Sequence, residues 1–236
     1  MLRKLREHRY IICSYNDTLP QQCVILRHDI DNDINKALKF AELEHEEGVS
    51  STYFVLLTSD FYNAFSYKST KSLTAIAELG HDIGLHFDEV RYPDLGVEAI
   101  QERIIKECKL LSEAIGQAVT VVSMHRPSKA ILEADLKIPG LINSYGKTFF
   151  NDFKYLSDSR RRWREPVDEI VASEQYEKLH ILTHAFWYNE QEKNLQDSLL
   201  SFINSGNTER FFAMRENFTK LEDEISMEQV LGGVFQ

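Results

Sequence analysis

Between Val24 and Asp33 the chain reads VILRHDIDND, a short apolar run ending in Arg27, His28, Asp29, Asp31 and Asp33. Carboxylates this close raise one another's proton affinity and repel unless a cation sits among them. A divalent metal is the simplest such cation, so the chain can be searched for its other ligands. Three further polar clusters answer that search. His86 follows DIGL, His125 and Arg126 follow VVSM, and His184 follows HILT. Each sits where an apolar strand should end, and in parallel α/β folds the C-terminal strand ends carry the active site. Taken singly, such residues are ordinary. Asp31 or Asp33 would serve as a helix N-cap, and Arg126-Pro127 as a turn. SRRRWRE (159–165) reads alone as a solvated basic face with one buried Trp. His28, His81 and His180 read as hydrogen-bonded structural residues, His8 and His45 as surface.

The elements that must position these residues alternate along the chain. CVILRHD is a buried strand. Asp33 to Glu47 follows as a helix, with Ile34, Ala37, Leu38 and Ala41 on one face and Gly48 as its stop. STYFVLL (51–57) is β-branched and aromatic, hence strand. Lys71 to Leu79 reads as helix and DIGLHF as strand. Val97, Ile100, Ile104, Cys108, Leu111 and Ile115 step by three and four along a long amphipathic helix closed by Gly116. AVTVVSMH (118–125) is strand, and KTFFNDFKYLSD and KLHILTHAFWY supply further strands. After Asn189 the chain turns polar and helical, NLQDSLLSFINSG being its best segment. This βαβα rhythm predicts a mostly parallel sheet with helices outside it. With no Pro/Gly/Ser linker, the expectation is one domain over 1–236: a motif-bearing core at 22–190 and a helical extension at 191–236.

The net charge of −10 speaks against nucleic-acid or anionic-membrane partners. The N-terminal residues lack the apolar core and small-residue cleavage site of a leader, and no run is long enough to span a bilayer. Cys13, Cys23 and Cys108 form no CxxC pair and read as reduced, buried thiols. The expected location is the cytoplasm.

These residues, in this order from about Val24 to Tyr188, resemble the motifs of the metal-dependent polysaccharide deacetylases, which include chitin and peptidoglycan de-N-acetylases. RHDID resembles the first motif, which makes Asp29 the catalytic base and Asp31 a metal ligand. GHDIGLHFDE resembles the stretch leading into the metal-binding histidine motif, which makes His86 a ligand. HRPS is similar to the third motif, whose Arg, here Arg126, contacts the base. DSRRRW resembles the fourth, with Asp158 and Trp163 lining the site. LTHAFW is similar to the fifth, which makes His184 the general acid. The family's second metal-binding His falls four residues after the first, and here that position is Val90. His125, whose strand end should open onto the same face, is the candidate third ligand, with Asp88 and Glu89 as runners-up.

The resemblance implies a distorted (β/α)7 barrel and a metal, zinc by ligand type. It implies hydrolysis of an N-acetyl group from a sugar or small glycan, placed by the expected location in surface-polysaccharide biosynthesis. Asp29 would deprotonate water and Arg126 would hold Asp29 ionised. His184 would protonate the leaving amine, its proton held by an ion pair with Asp158 unless Asp158 pairs with Arg126 instead. Trp163 and Trp187 offer flat walls for a sugar ring. The alternatives are hydrolysis of a non-sugar amide on the same scaffold and a non-catalytic, metal-containing sugar-binding protein. Asp29 and His184 together argue against the last, since a binder needs neither base nor acid.

Overall fold

The computed structural model describes residues 1–232. Its strands are β1 (Ile11–Cys13), β2 (Cys23–Ile30), β3 (Thr52–Val55), β4 (Asp82–Phe87), β5 (Val121–Met124), β6 (Ile142–Asn143), β7 (Lys154–Ser157) and β8 (Lys178–Thr183). They form one eight-stranded sheet in the order β6-β5-β4-β3-β2-β8-β7, with β1 added beside β2. Every pairing is parallel. Because β8 pairs with β2, the seven-strand path curls back on itself and ends at β6 and β7. This is a distorted (β/α)7 barrel with helices around it.

The helices are α1 (Leu2–Glu7), α2 (Ile34–Glu46), α3 (Tyr67–Glu78), α4 (Val97–Ile115), α5 (Lys129–Glu133), α6 (Lys147–Asn151) and α7 (Val167–Ser173). Asp33 does cap α2, accepting from the Asn35 and Lys36 N–H groups. The apolar stripe of α4 is buried at Ile100, Ile104, Cys108, Leu111 and Ile115, and Gly116 ends the helix at φ 70°. The segment KTFFNDFKYLSD divides. Its first half forms α6 and only Lys154–Ser157 is strand. Phe149 belongs to the buried cluster that also holds Tyr15, Ile25 and Phe54, and burying that ring overrides a β-prone sequence.

Alternation in β2 sorts two faces. Val24 and Leu26 join Leu156, Val171, Leu179 and Ile181 in a layer against α1 and α7. Cys23 and Ile25 point the other way, into the barrel with Phe54 and Val121. Arg27 and Asp29 continue that inner row, which brings a charged pair to the mouth of an apolar interior. Gly84 is required where it stands. A Cβ there would lie 2.5 Å from ring carbons of Phe54, so only glycine lets Phe54 fill the barrel beneath Arg27.

The chain divides into two compact units, the first Met1–Phe186 and the second from Trp187 onward. The second unit is helical: α8 (Leu195–Arg215), α9 (Leu221–Glu224) and α10 (Met227–Gly232). Asn194 caps α8 and α10 packs on α8. No described helix is long and apolar enough to cross a membrane.

Candidate metal centre and active site

Five strand ends meet at one mouth of the barrel. Asp29 and Asp31 leave β2, His86 is near the end of β4, His125 follows β5, Asp158 follows β7 and His184 follows β8. The His125 N–H donates to Phe87 O at 2.8 Å, which continues the β4–β5 ladder and fixes the imidazole beside its neighbour. His86 Nε2 lies 3.3 Å from Asp31 Oδ1 and 3.0 Å from His125 Nδ1. His125 Nδ1 lies 3.4 Å from the same Asp31 oxygen.

These three atoms fit a cation. Zinc bonds of about 2.1 Å in tetrahedral geometry space the ligand atoms roughly 3.4 Å apart, close to the spacings here. Asp31 Oδ1 is buried with no hydrogen-bond donor among the described residues, a costly arrangement unless something positive meets it. One carboxylate and two imidazoles are also the donor chemistry that zinc accepts. Titration behaviour agrees. Burial would raise the Asp31 carboxyl, yet the adjoining His125 and His86 imidazoles drive it well below the usual carboxylate range. Burial would lower His125, yet Asp31 pushes it up. The cluster draws positive charge to itself.

Asp29 sits beside this triad, its Oδ2 3.4 Å from His86 Nε2. Its partner is Arg27, not Arg126. Arg27 is completely buried and Nη2 donates to both oxygens of Asp29, at 2.6 and 2.7 Å. The guanidinium also donates to the Ser123 and Ser144 hydroxyls and lies over the Phe54 ring at 4.7 Å. Burial would raise Asp29; Arg27 first, then His86 and His184, outweigh it and hold the carboxyl below its ordinary value. Arg126 instead donates through Nε and Nη2 to Asp88, with its side chain 52% exposed. The pairing has a simple cause. Residues two apart on a strand share a face, so Arg27 is already aimed at Asp29, whereas Arg126 lies beyond the end of β5 and meets the carboxylate that follows β4.

His184 is held from behind. Asp158 accepts from its Nδ1 at 2.7 Å and from its backbone N–H at 3.1 Å, leaving Nε2 on the side of Asp31, 3.8 Å from Oδ2. Burial would lower this imidazole; Asp158 and then Asp29 raise it.

Trp163 does not line this mouth. It packs with Leu5, Val24, Leu156 and Val171 on the helix side of the sheet, opposite the Asp29 row. In RRRWR the lone apolar side chain turns toward the core and the arginines take the solvent. Trp187 opens the second unit. Of the runners-up, Asp88 is occupied by Arg126, and Glu89 accepts from the Ser128 N–H. Val90 is exposed. His28, His81 and His180 are buried and hydrogen-bonded away from the mouth, to Glu44, Ala41 O and Tyr15 respectively. Sequence reasoning missed Arg27, Ser123 and Ser144; the period-2 spacing of Arg27 and Asp29 was the available signal.

No protein-family model matches the chain, and no curated protein does. Solved structures do. The catalytic domain of a peptidoglycan N-acetylglucosamine deacetylase from Eubacterium rectale matches with TM-score 0.50 and 12% identity, over 84% of this chain and 89% of that one. A family 4 carbohydrate esterase from Bacillus anthracis matches with TM-score 0.44 and 16% identity, over 88% and 85%. A CE4 family pseudoenzyme from the same organism matches with TM-score 0.43 and 13% identity, over 80% of this chain and 61% of its own. The chain thus spans less than two thirds of that protein's length. At these identities the likeness establishes architecture: the chain has the barrel fold of the Eubacterium rectale deacetylase domain.

Proposed function

We propose that the chain is a metal-dependent hydrolase that removes the acetyl group from the nitrogen of a sugar or small glycan. The observation that carries this reading is the Asp31–His86–His125 cluster, its donor atoms 3.0–3.4 Å apart beside an Arg27-paired Asp29 and an Asp158-paired His184. A zinc-type ion held by these three ligands would acidify a water and polarise the amide carbonyl. Asp29, kept ionised by Arg27, takes the proton from the attacking water. Arg27 also fixes the orientation of the carboxylate by gripping both of its oxygens. His184, its Nδ1–H given to Asp158, presents a protonated Nε2 to the departing amine. Without that proton the amine is a poor leaving group.

The substrate class comes from the printed activity of the Eubacterium rectale neighbour and from the motif order. Cys23 and Cys108 are buried free thiols whose ionisation burial pushes up to about 11 and about 12. Such inert thiols suit a reducing compartment, where a biosynthetic intermediate rather than a finished wall polymer is the available substrate.

The test is acetate release from N-acetylated mono- and oligosaccharides by metal-loaded protein, with metal content measured in parallel. Asp29→Asn should keep the metal and lose turnover. Normal turnover in that variant would overturn the assignment of the base.

A further inference from the structure

Directly after Asp158 the chain runs Ser159-Arg160-Arg161-Arg162-Trp163-Arg164. Four guanidiniums within five residues, in a chain of net charge −10, stand one residue from the carboxylate that holds His184. The loop is shaped rather than slack. Arg160 (φ 60°) and Arg161 (φ 61°) are both left-handed, a conformation that side chains other than glycine and asparagine seldom adopt in succession. One end is pinned by the Arg162 N–H, which donates to Asp158 O at 3.1 Å and Ser159 O at 3.3 Å. The other end is pinned by Trp163 in the apolar layer. With Trp163 turned inward, Arg160, Arg162 and Arg164 are exposed, and none of the three meets a carboxylate among the described residues. Arg27, Arg91, Arg103 and Arg126 all have one.

A solvated basic face explains exposure but not the placement. Like charges are brought together by a strained turn that begins two residues after Asp158, the carboxylate that holds His184. We propose that residues 160–164 bind a phosphate group carried by the substrate. The substrate is then a phosphorylated N-acetyl sugar, either a sugar phosphate or a nucleotide-diphosphate sugar. This deepens, and rests on, the deacetylase reading. Arginine forks match phosphate oxygens two at a time. A local positive lip also offsets the repulsion that a strongly acidic protein exerts on an anionic substrate.

The experiment compares acetate release from N-acetylglucosamine, a neutral N-acetylglucosamine trimer, a nucleotide-diphosphate N-acetylglucosamine and an N-acetylated uronic acid. The variants are Arg160→Asn, which tolerates the left-handed turn, together with Arg162→Gln and Arg164→Gln; Lys106→Gln, on the exposed face of α4, is the charge-removing control. The nucleotide sugar should have the lowest KM. The triple variant should raise that KM roughly tenfold or more, leave kcat and the neutral substrates unchanged, and weaken the salt dependence of kcat/KM. Equal KM for neutral and phosphorylated sugars, or a preference for the uronate, overturns the proposal. Calorimetric titration with inorganic pyrophosphate separates the two readings. Binding that the triple variant loses supports the phosphate site even if no sugar releases acetate, an outcome that would sink only the deacetylase reading. Undiminished binding in the triple variant removes the site.

Discussion

Replacing Arg27 by Met tests the electrostatic core of the site. Both partners are out of solvent, with side chains 0% and 4% exposed, and their contacts are 2.6 and 2.7 Å. Methionine fills the stem's volume over Phe54 but leaves Asp29 buried and unpaired, and strips the Ser123 and Ser144 hydroxyls of their donor. Breaking one side of a buried pair costs about 3–5 kcal/mol. At roughly 2–4 °C per kcal/mol for a domain of this size, Tm should fall by about 6–20 °C. The pH dependence has a definite sign. Asp29's folded-state pKa is depressed, so its stabilising contribution is present above its unfolded value, about 3.9, and is lost as pH falls through the folded one. In the variant the largest opposing charge is gone and burial raises the carboxyl. The deficit should therefore be greatest at neutral pH and narrow on acidification. The acid limb of kcat/KM should move to higher pH by the same argument. The double variant Arg27→Met/Asp29→Asn removes the stranded charge and should recover stability without turnover. Thermal denaturation across pH and a pH–rate profile read all of this. Equal stability of single and double variants at pH 7, with an unmoved acid limb, would refute the reasoning.

The remaining expectations follow from the same geometry. Asp31→Ala should abolish stoichiometric metal and His125→Ala should lower it, both read by metal analysis; full occupancy in the His125 variant would return the third ligand to Asp88 or Glu89. Asp158→Asn removes the leading cause of His184's raised pKa, so the alkaline limb of the rate profile should move to lower pH. Arg126→Gln should leave the acid limb in place, because Arg126 serves Asp88; a shift of that limb would restore Arg126 as the partner of the base. Gly84→Ala forces a Cβ to 2.5 Å from Phe54 and should cost about 1–3 kcal/mol by overpacking, measured as a lower Tm.

Much of this site was legible because strand ends announce themselves. A short apolar run that stops in Asp or His fixes both the element and the end of the element, and β2, β4, β5 and β8 all obey that pattern. His125 could be placed beside His86 because neighbouring parallel strands bring their C-terminal ends together. The pairing of charges was harder to read. Arg27 and Arg126 are both arginines near strand ends, and motif order favoured the second. The alternation of β2, which turns Arg27 toward Asp29, favoured the first, and the pleat decided. Trp163 misled for a related reason. A motif position says that a residue stands near the mouth but not which side of the sheet its ring enters, and beside four arginines the ring takes the apolar layer. The helix α6 was hidden because FF reads as strand until the barrel interior that receives Phe149 is known.

The arrangement of partners carries a chemical consequence beyond each pair. Amide hydrolysis by the proposed route needs one group unprotonated and another protonated at the same pH, within one small space. Two bare carboxylates and three imidazoles would instead share protons and titrate as a set. Here separate strand ends supply separate counter-charges. Arg27, from β2, holds Asp29 down, while Asp158, after β7, holds His184 up, so the two partners come from different strands. Opposite shifts in adjacent groups are what the proposed division into base and acid requires. The split depends on Arg27 belonging to the same strand as Asp29, since a strand fixes that distance more rigidly than a loop residue such as Arg126 can. The counter-charge of Asp29 therefore comes from within β2, and Arg126, beyond the end of β5, is bound to Asp88 instead.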